Sequence, residues 1–273
     1  MKIYDCTTFY NANLLFETRV KILDKFVDYF VVCEASKDHV GKYKGYNFKP
    51  KIDNHVKKKI IYIQVDDLPN IKLKGKKDYK LLKIQMERLK DGLTKADDHD
   101  LILFSDEDEI PSPDIIKKFE YQKYKYAICL QNLYLYKINI ISDDHGIGNW
   151  PGTRMSKKKD LKSFFKLRLL KIKDKNYPAW RIDKEKNFQI LKNGGWHFSY
   201  LMKPEEILNK IQSAAHTEYN TPKYSSLENI IDSINHLKDP FGRNINLRRV
   251  EIDSNFPKYI IENINLFKDW IAK

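Results

Sequence analysis

Through the first part of the chain, apolar runs bounded by polar punctuation alternate with stretches whose apolar positions repeat every three or four residues. Ile3 to Cys6 predicts a strand, and Leu14 to Phe26 a helix with Leu14, Leu15, Ile22, Leu23 and Phe26 along one side. Tyr29 to Cys33 reads as a second strand ending at Glu34, and Ile60 to Val65 as a third. Asp78 to Lys95 predicts a longer helix through Leu81, Leu82, Met86, Leu89 and Leu93, and Leu101 to Ser105 a fourth strand. Strands alternating with helices predict an α/β fold with a doubly wound, mostly parallel central sheet flanked by helices.

The pattern changes after Pro113. Tyr126 to Ile141 is rich in β-branched and aromatic residues, Phe165 to Ile172 alternates charged with apolar positions, and Phe188 to Leu191 and Trp196 to Tyr200 read as short strands. Helices are expected near Pro204 to Ser213, Ser226 to Leu237 and Pro257 to Ile271. This half is expected to be mixed or antiparallel. With no internal repeat and no evident linker, residues 1–273 are expected to form one domain, with halves 1–112 and 113–273.

The fourth strand runs straight into Asp106-Glu107-Asp108-Glu109, closed by Ile110-Pro111, and Pro113 suits the first turn of a helix near Asp114. Side chains at i and i+2 of an extended segment point the same way, so Asp106 and Asp108 form a pair of hard oxygen ligands. Like charges this close repel unless a cation joins them. Open α/β sheets bind ligands at the carboxyl ends of their strands, so a metal-held phosphate ligand fits the position. A solvated acidic turn is the plainer alternative.

Four further segments carry candidate chemistry. In Asn193-Gly194-Gly195-Trp196-His197, the glycines allow close approach to a ligand and His197 is a candidate metal ligand; a tight turn into a strand explains them equally. Trp150 offers a flat face to a sugar ring and Arg154 a bidentate grip on phosphate or carboxylate, though a structural turn over Trp150 to Arg154 explains them equally. Glu34, at a strand end, could hold ribose or base hydroxyls, and Lys44 beyond it could meet a diphosphate, with a solvated loop the plainer reading of the lysines. His216-Thr217-Glu218 offers a base candidate, or simply an exposed helix end.

Composition narrows the classes. At 42% hydrophobic and 13% aromatic the chain is a folded globular protein. A net charge of +13 invites a nucleic-acid reading, but only eight of its fifty cations are Arg, and a Lys, Ile and Asn bias also follows from AT-rich coding; no nucleic-acid partner is expected. Three widely spaced cysteines, Cys6, Cys33 and Cys129, read as buried thiols rather than disulfides. The chain starts at a strand without a charged-then-apolar leader, and no run approaches the ~20 apolar residues of a membrane helix. The expected setting is soluble and cytoplasmic, with peripheral membrane contact left open.

Taken in order, these segments resemble glycosyltransferase family 17. The matching pieces are Tyr4-Asp5, Phe9-Tyr10-Asn11, Glu17, Val27 to Glu34, His39, Gly41-Lys42, Glu87-Arg88, Ser105 to Pro111, Trp150 to Thr153, Gly194 to Ser199, Lys210 to Ser213 and His216 to Glu218. The resemblance implies a GT-A-type nucleotide-sugar-binding fold, a divalent metal, usually manganese, and inverting transfer of N-acetylglucosamine from UDP-GlcNAc to a glycan hydroxyl. The family precedent for that linkage is β-1,4 to a β-mannoside. Residues 1–112 would bind the nucleotide sugar and 113–273 the acceptor. Asp106, Asp108 and His197 would hold the metal, and Glu34, Lys44, Asp106, Arg154 and Trp196 the donor. Glu218 or Asp144 would be the base. Eukaryotic members carry an anchor and stem, so the catalytic domain alone is expected here.

Three rivals make different demands. A metal-dependent nucleotidyltransferase would carry a Gly-rich, basic loop after the first strand, where this chain has Thr7 to Asn11. A nuclease would bring acids from several elements to two metals. A non-catalytic carbohydrate-binding protein would bind UDP without turnover.

Overall fold

The structure is a computed structural model that describes residues 1–71 and 79–272. It opens with strand β1 (Ile3–Phe9), helix α1 (Asn13–Leu23), strand β2 (Tyr29–Ala35), the short helix α2 (Asn54–Lys57) and strand β3 (Ile60–Val65). Helix α3 (Lys80–Arg88) tightens into a 3-10 segment over Leu89–Leu93 before strand β4 (Leu101–Ser105). The helix expected from Asp78 therefore begins at Lys80, and Asp78 itself lies outside the described residues.

β1 pairs in parallel with β2 on one side and β4 on the other, and β3 continues the set beyond β2. Both faces of these strands are covered, which is why they read as unbroken apolar runs. Phe30 and Val32 of β2 and Leu101 and Leu103 of β4 meet Leu15, Phe16 and Val20 of α1. Val31, Cys33, Ile102 and Phe104 point the other way, onto Leu81 and Met86 of α3. All three cysteines are buried free thiols.

Next come strand β5 (Glu109–Pro111), helix α4 (Pro113–Lys118), strands β6 (Tyr126–Leu135), β7 (Ile140–Ser142) and β8 (Trp150–Lys157), and helix α5 (Phe164–Arg168). Strands β9 (Phe188–Leu191) and β10 (Gly195–Ser199), helices α6 (Pro204–Ser213) and α7 (Leu227–Asn235), strand β11 (Leu247–Arg249) and helix α8 (Lys258–Glu262) complete the chain.

The expected mostly parallel sheet is corrected here, because the sheet is mixed. β8 lies between β4 and β6 and runs antiparallel to both. The chain from β6 returns as β8 without a crossover helix, and a strand that returns this way can only pair antiparallel. β9 and β10 then pair in parallel with the first and second halves of β6. The segment expected to alternate, Phe165 to Ile172, is instead helix α5 followed by a 3-10 turn over Ile172–Asn176. Its buried residues are Phe164 and Leu167, one helical turn apart, and Ser163 caps it by accepting from Lys166 N. Tyr126 to Ile141 breaks into β6 and β7 at Tyr136, whose φ is 64°. The final helix is likewise broken at Asn263.

Leu133 and Leu135 of β6, Ile207 and Ile211 of α6 and Ile230 of α7 form a third apolar cluster. That packing presses α6 against the sheet near the carboxyl end of β4. No described helix is long and apolar enough to cross a membrane.

Candidate active site

A cavity of about 290 Å³ opens at the carboxyl ends of β1, β2 and β4, lined there by Thr8, Phe9, His39 and Asp106. This is the crevice position that open α/β sheets favour for ligands. The four acids leave β4 in a turn closed by Glu109 N donating to Asp106 O at 3.1 Å. They then divide into two kinds.

Glu107 and Glu109 hold the turn. Glu107 accepts from the backbone of Tyr10 at 2.8 Å and of Asn11 at 3.2 Å, which ties the turn to the loop after β1. Glu109 accepts from the Trp150 indole at 2.9 Å and from Asp106 N at 3.2 Å. Burial raises the pKa of both. Beneath them the fully buried Arg19 of α1 donates to Asp5, to Ser105 Oγ at 2.9 Å and to the carbonyl of Glu109.

Asp106 and Asp108 face the cavity with cations against them. Arg168, from α5, grips both oxygens of Asp106 at 2.7 to 3.2 Å. Lys210, from α6, reaches Asp108 at 2.9 Å, and His197 Nε2, from β10, lies 3.3 Å from its other oxygen. Burial alone would raise both aspartate pKa values, but Arg168 beside Asp106, and Lys210 and His197 beside Asp108, reverse the sign. Both are held as carboxylates.

Gly194 and Gly195 allow a close approach, but to the protein's own backbone. A Cβ on Gly195, whose φ is +127°, would stand 2.1 Å from the carbonyl of Ile110, and one on Gly194 would stand 2.8 Å from Leu130 N. The two glycines let β10 run tightly between β5 and β6, and this brings His197 beside Asp108.

The other sequence-predicted residues are scattered. Lys44 lines the cavity, while Glu34 lies behind it, accepting from Lys44 Nζ at 2.5 Å, Tyr62 OH at 2.7 Å and the backbone of Asn47 and Phe48. Arg154 is buried on the central strand β8 and donates to the carbonyls of Pro151, Gly152 and Leu170. Trp196 points away, its indole donating to Asn255 O at 2.7 Å. Glu218 stands behind His216, whose Nδ1 is 3.0 Å from its carboxylate and whose Nε2 is 3.2 Å from Tyr79 OH. The His216 ring is thus held between the Glu218 carboxylate and the Tyr79 hydroxyl. Asp144 pairs with Arg243 at 3.0 Å in a second chamber that opens off the first beside His216.

Residues 1–154, more than half of the 273, match the family model described as Glycosyltransferase family 17. The chain belongs to glycosyltransferase family 17. It is therefore a glycosyltransferase that handles a sugar donor and an acceptor, and the nucleotidyltransferase reading gives way. No curated protein matches this glycosyltransferase.

Would its acidic turn suit a divalent cation? Two donors held about 2.1 Å from one ion at a right angle stand about 3 Å apart, so Asp108 Oδ1 and His197 Nε2, at 3.3 Å, can share one. Asp106, expected as a third ligand, faces Arg168 instead. Among the described residues no group of three or more acids, histidines or cysteines forms a ready cage. Asp108 and His197 thus offer two donors, of which His197, whose pKa Asp108 raises against the effect of burial, would have to give up its proton to serve as one.

Sequence reasoning gave Arg168 no role and placed Lys210 only within a motif of the glycosyltransferase. Arg168 is one of eight arginines in a lysine-rich chain, and that scarcity is its one visible signal. Its partner is 62 residues away, a pairing that no local pattern reveals.

Proposed function

We propose that this glycosyltransferase moves N-acetylglucosamine from UDP-GlcNAc to a hydroxyl of a glycan acceptor, with inversion, in a GT-A-type arrangement and with a divalent cation, manganese by family precedent. The observation that carries this reading is the pair of ionised aspartates at the end of β4, facing a cavity that Arg168, Lys210 and Lys44 also line. A nucleoside diphosphate needs both a cation held by acids and direct cationic donors, and this cavity offers the residues for each.

Asp108 and His197 would hold the cation, with Asp106 near them; when bound it offsets the charge that builds on the departing diphosphate. Lys210 and Arg168 contribute fixed positive charge on the same side. In the transfer itself the acceptor oxygen bonds to the anomeric carbon as the bond from that carbon to the diphosphate oxygen breaks. UDP leaves with the bonding electrons, and the acceptor proton passes to a base on the opposite side.

His216 Nε2 is our choice for that base, with Glu218 fixing its tautomer from behind. Asp144 is the second candidate, from within the side chamber. His216→Ala and Glu218→Gln should each keep UDP binding, read by calorimetry, and lose most transfer; normal transfer in His216→Ala would move the base to Asp144.

UDP release from a panel of UDP-sugars, with manganese or with EDTA, tests the whole reading. UDP-GlcNAc should be the productive donor, EDTA should abolish release, and Asp108→Ala should remove it. Undiminished release from Asp108→Ala would overturn the assignment of the acids.

A further inference from the structure

Residues 162–186 hold nine lysines and arginines against three acids, a net +6 that is nearly half of the chain's +13 in less than a tenth of its length. Arg168 turns inward to Asp106, but Lys162, Lys166, Lys171 and Lys173 are exposed and, among the described residues, enter no ion pair. The three acids are already engaged. Asp174 is buried, Asp183 pairs with Arg181 at 2.7 Å, and Glu185 accepts from the backbone of Lys186 at 3.0 Å and of Asn187 at 2.9 Å.

Two large apolar side chains stand out of this basic segment, Trp180 at 73% exposed and Ile182 at 95%. The turn that carries them is closed by its own hydrogen bonds: Arg181 N donates to Pro178 O at 3.1 Å, and Lys186 Nζ donates to Pro178 O at 2.6 Å and to Arg181 O at 3.3 Å. The fold therefore holds both side chains outward. Ile182 and the half-exposed Leu169 line one hollow with Lys162, Lys166 and Lys171. Single apolar residues on a surface are ordinary, but a Trp, an Ile and a Leu gathered among unpaired lysines mark an interaction surface.

We infer that residues 162–186 bind the surface of a bilayer containing anionic lipid, with Trp180 and Ile182 entering the headgroup boundary and the lysines meeting the lipid phosphates. An indole, apolar with one N–H, suits the boundary between acyl chains and headgroups, and lysines gain from the negative potential of the surface. One weak anchor gives only marginal attachment, whereas an apolar insertion joined to a basic patch gives a stable one. A nucleic acid would also meet the cations but would leave Ile182 in water, so the bilayer is the better match. Helix α5 joins this surface to the cavity, because Lys166 and Leu169 face the hollow while Arg168 between them grips Asp106. The inference does not depend on which donor the site takes.

The test is co-sedimentation of the full chain with vesicles of phosphatidylcholine, alone or with about 30% phosphatidylglycerol, at about 0.1 M salt. The chain should bind the anionic vesicles and not the neutral ones. Replacing Lys162, Lys166 and Lys171 together by Gln should weaken binding about 10²-fold, at roughly a factor of five per lysine. Trp180→Ser with Ile182→Ser should weaken it at least about tenfold. Lys57→Gln with Lys58→Gln, two exposed lysines elsewhere on the chain, should change it less than about twofold. Tryptophan emission should shift to the blue on anionic vesicles, and Trp180→Phe should lose most of that shift. All of these variants should bind UDP as the parent chain does, which separates this surface from the donor site. Absence of binding to anionic vesicles, equal losses from the Lys57 and Lys58 pair, or indifference to the Trp180 and Ile182 pair would each overturn the inference. So would tighter binding to a short RNA duplex than to the anionic vesicles, which would give the lysines to a nucleic acid.

Discussion

At the residue scale the most consequential side chain is one that never reaches the cavity. Arg19 is fully buried, its charge is matched by Asp5, and its remaining donors are taken by Ser105 and by the carbonyl of Glu109, so it joins α1, β1 and both ends of the acidic turn. Removing one member of such a pair leaves the other charge buried without a counter-ion, which costs about 3–5 kcal/mol. Arg19→Met should show a loss of that size in urea unfolding, and adding Asp5→Asn should recover part of it. A surface-sized effect, below about 1 kcal/mol, would mean that the pair is not buried in solution. Lys210 makes the opposite case, since its charge faces the cavity and Asp108 at 2.9 Å. Lys210→Met should reduce UDP release about 10²-fold, the usual scale for losing one preorganised charge donor, and Lys210→Arg should regain part of it.

At the element scale the acidic turn depends on β10. Phe198 N donates to Asp108 O at 2.8 Å, and Gly195 lies against the Ile110 carbonyl, so the strand that carries His197 also braces the backbone of the acids. Gly195→Ala would force a Cβ into that carbonyl at a φ that disfavours side chains. We expect a loss of about 2–4 kcal/mol, measured by urea unfolding, together with loss of UDP release. The sequence shows the acids, the glycines and His197 plainly, because each is a local pattern: acids abutting an apolar strand, a Gly-Gly pair, a His just beyond. It also shows β1 to β4 and their helices, since strands buried on both faces are continuous apolar runs. β8 escapes notice because Trp150-Pro151-Gly152 has the composition of a turn, yet it is a central strand. Helix α5 is misread because Phe165 to Ile172 mixes lysines with apolar residues closely enough to mimic alternation. These two misreadings hide the mixed sheet and the position of Arg168, both of which are set by long-range contacts.

At the scale of the whole molecule the family match and the candidate site do not share a boundary. The match ends at residue 154, inside β8, whereas Arg168, His197, Lys210 and His216 all lie beyond it. A chain cut after residue 157 would keep the acids without the cations opposite them. It would also strip β9 and β10 from β6, leaving a ten-residue strand with an open edge. Phe198, Phe256 and Phe267, which belong to the same apolar cluster as α1 and β4, would leave with it. An open, apolar strand edge is a template for pairing with another chain, so the fragment should aggregate rather than fold. We expect the full chain to unfold in a single urea transition by circular dichroism and fluorescence alike, and fragment 1–157 to elute as aggregate on size exclusion. A soluble fragment with its own cooperative transition would show that the parallel strands form a domain in their own right. The second half would then be a separable attachment, with Arg168 and Lys210 as additions to a site whose fold does not depend on them.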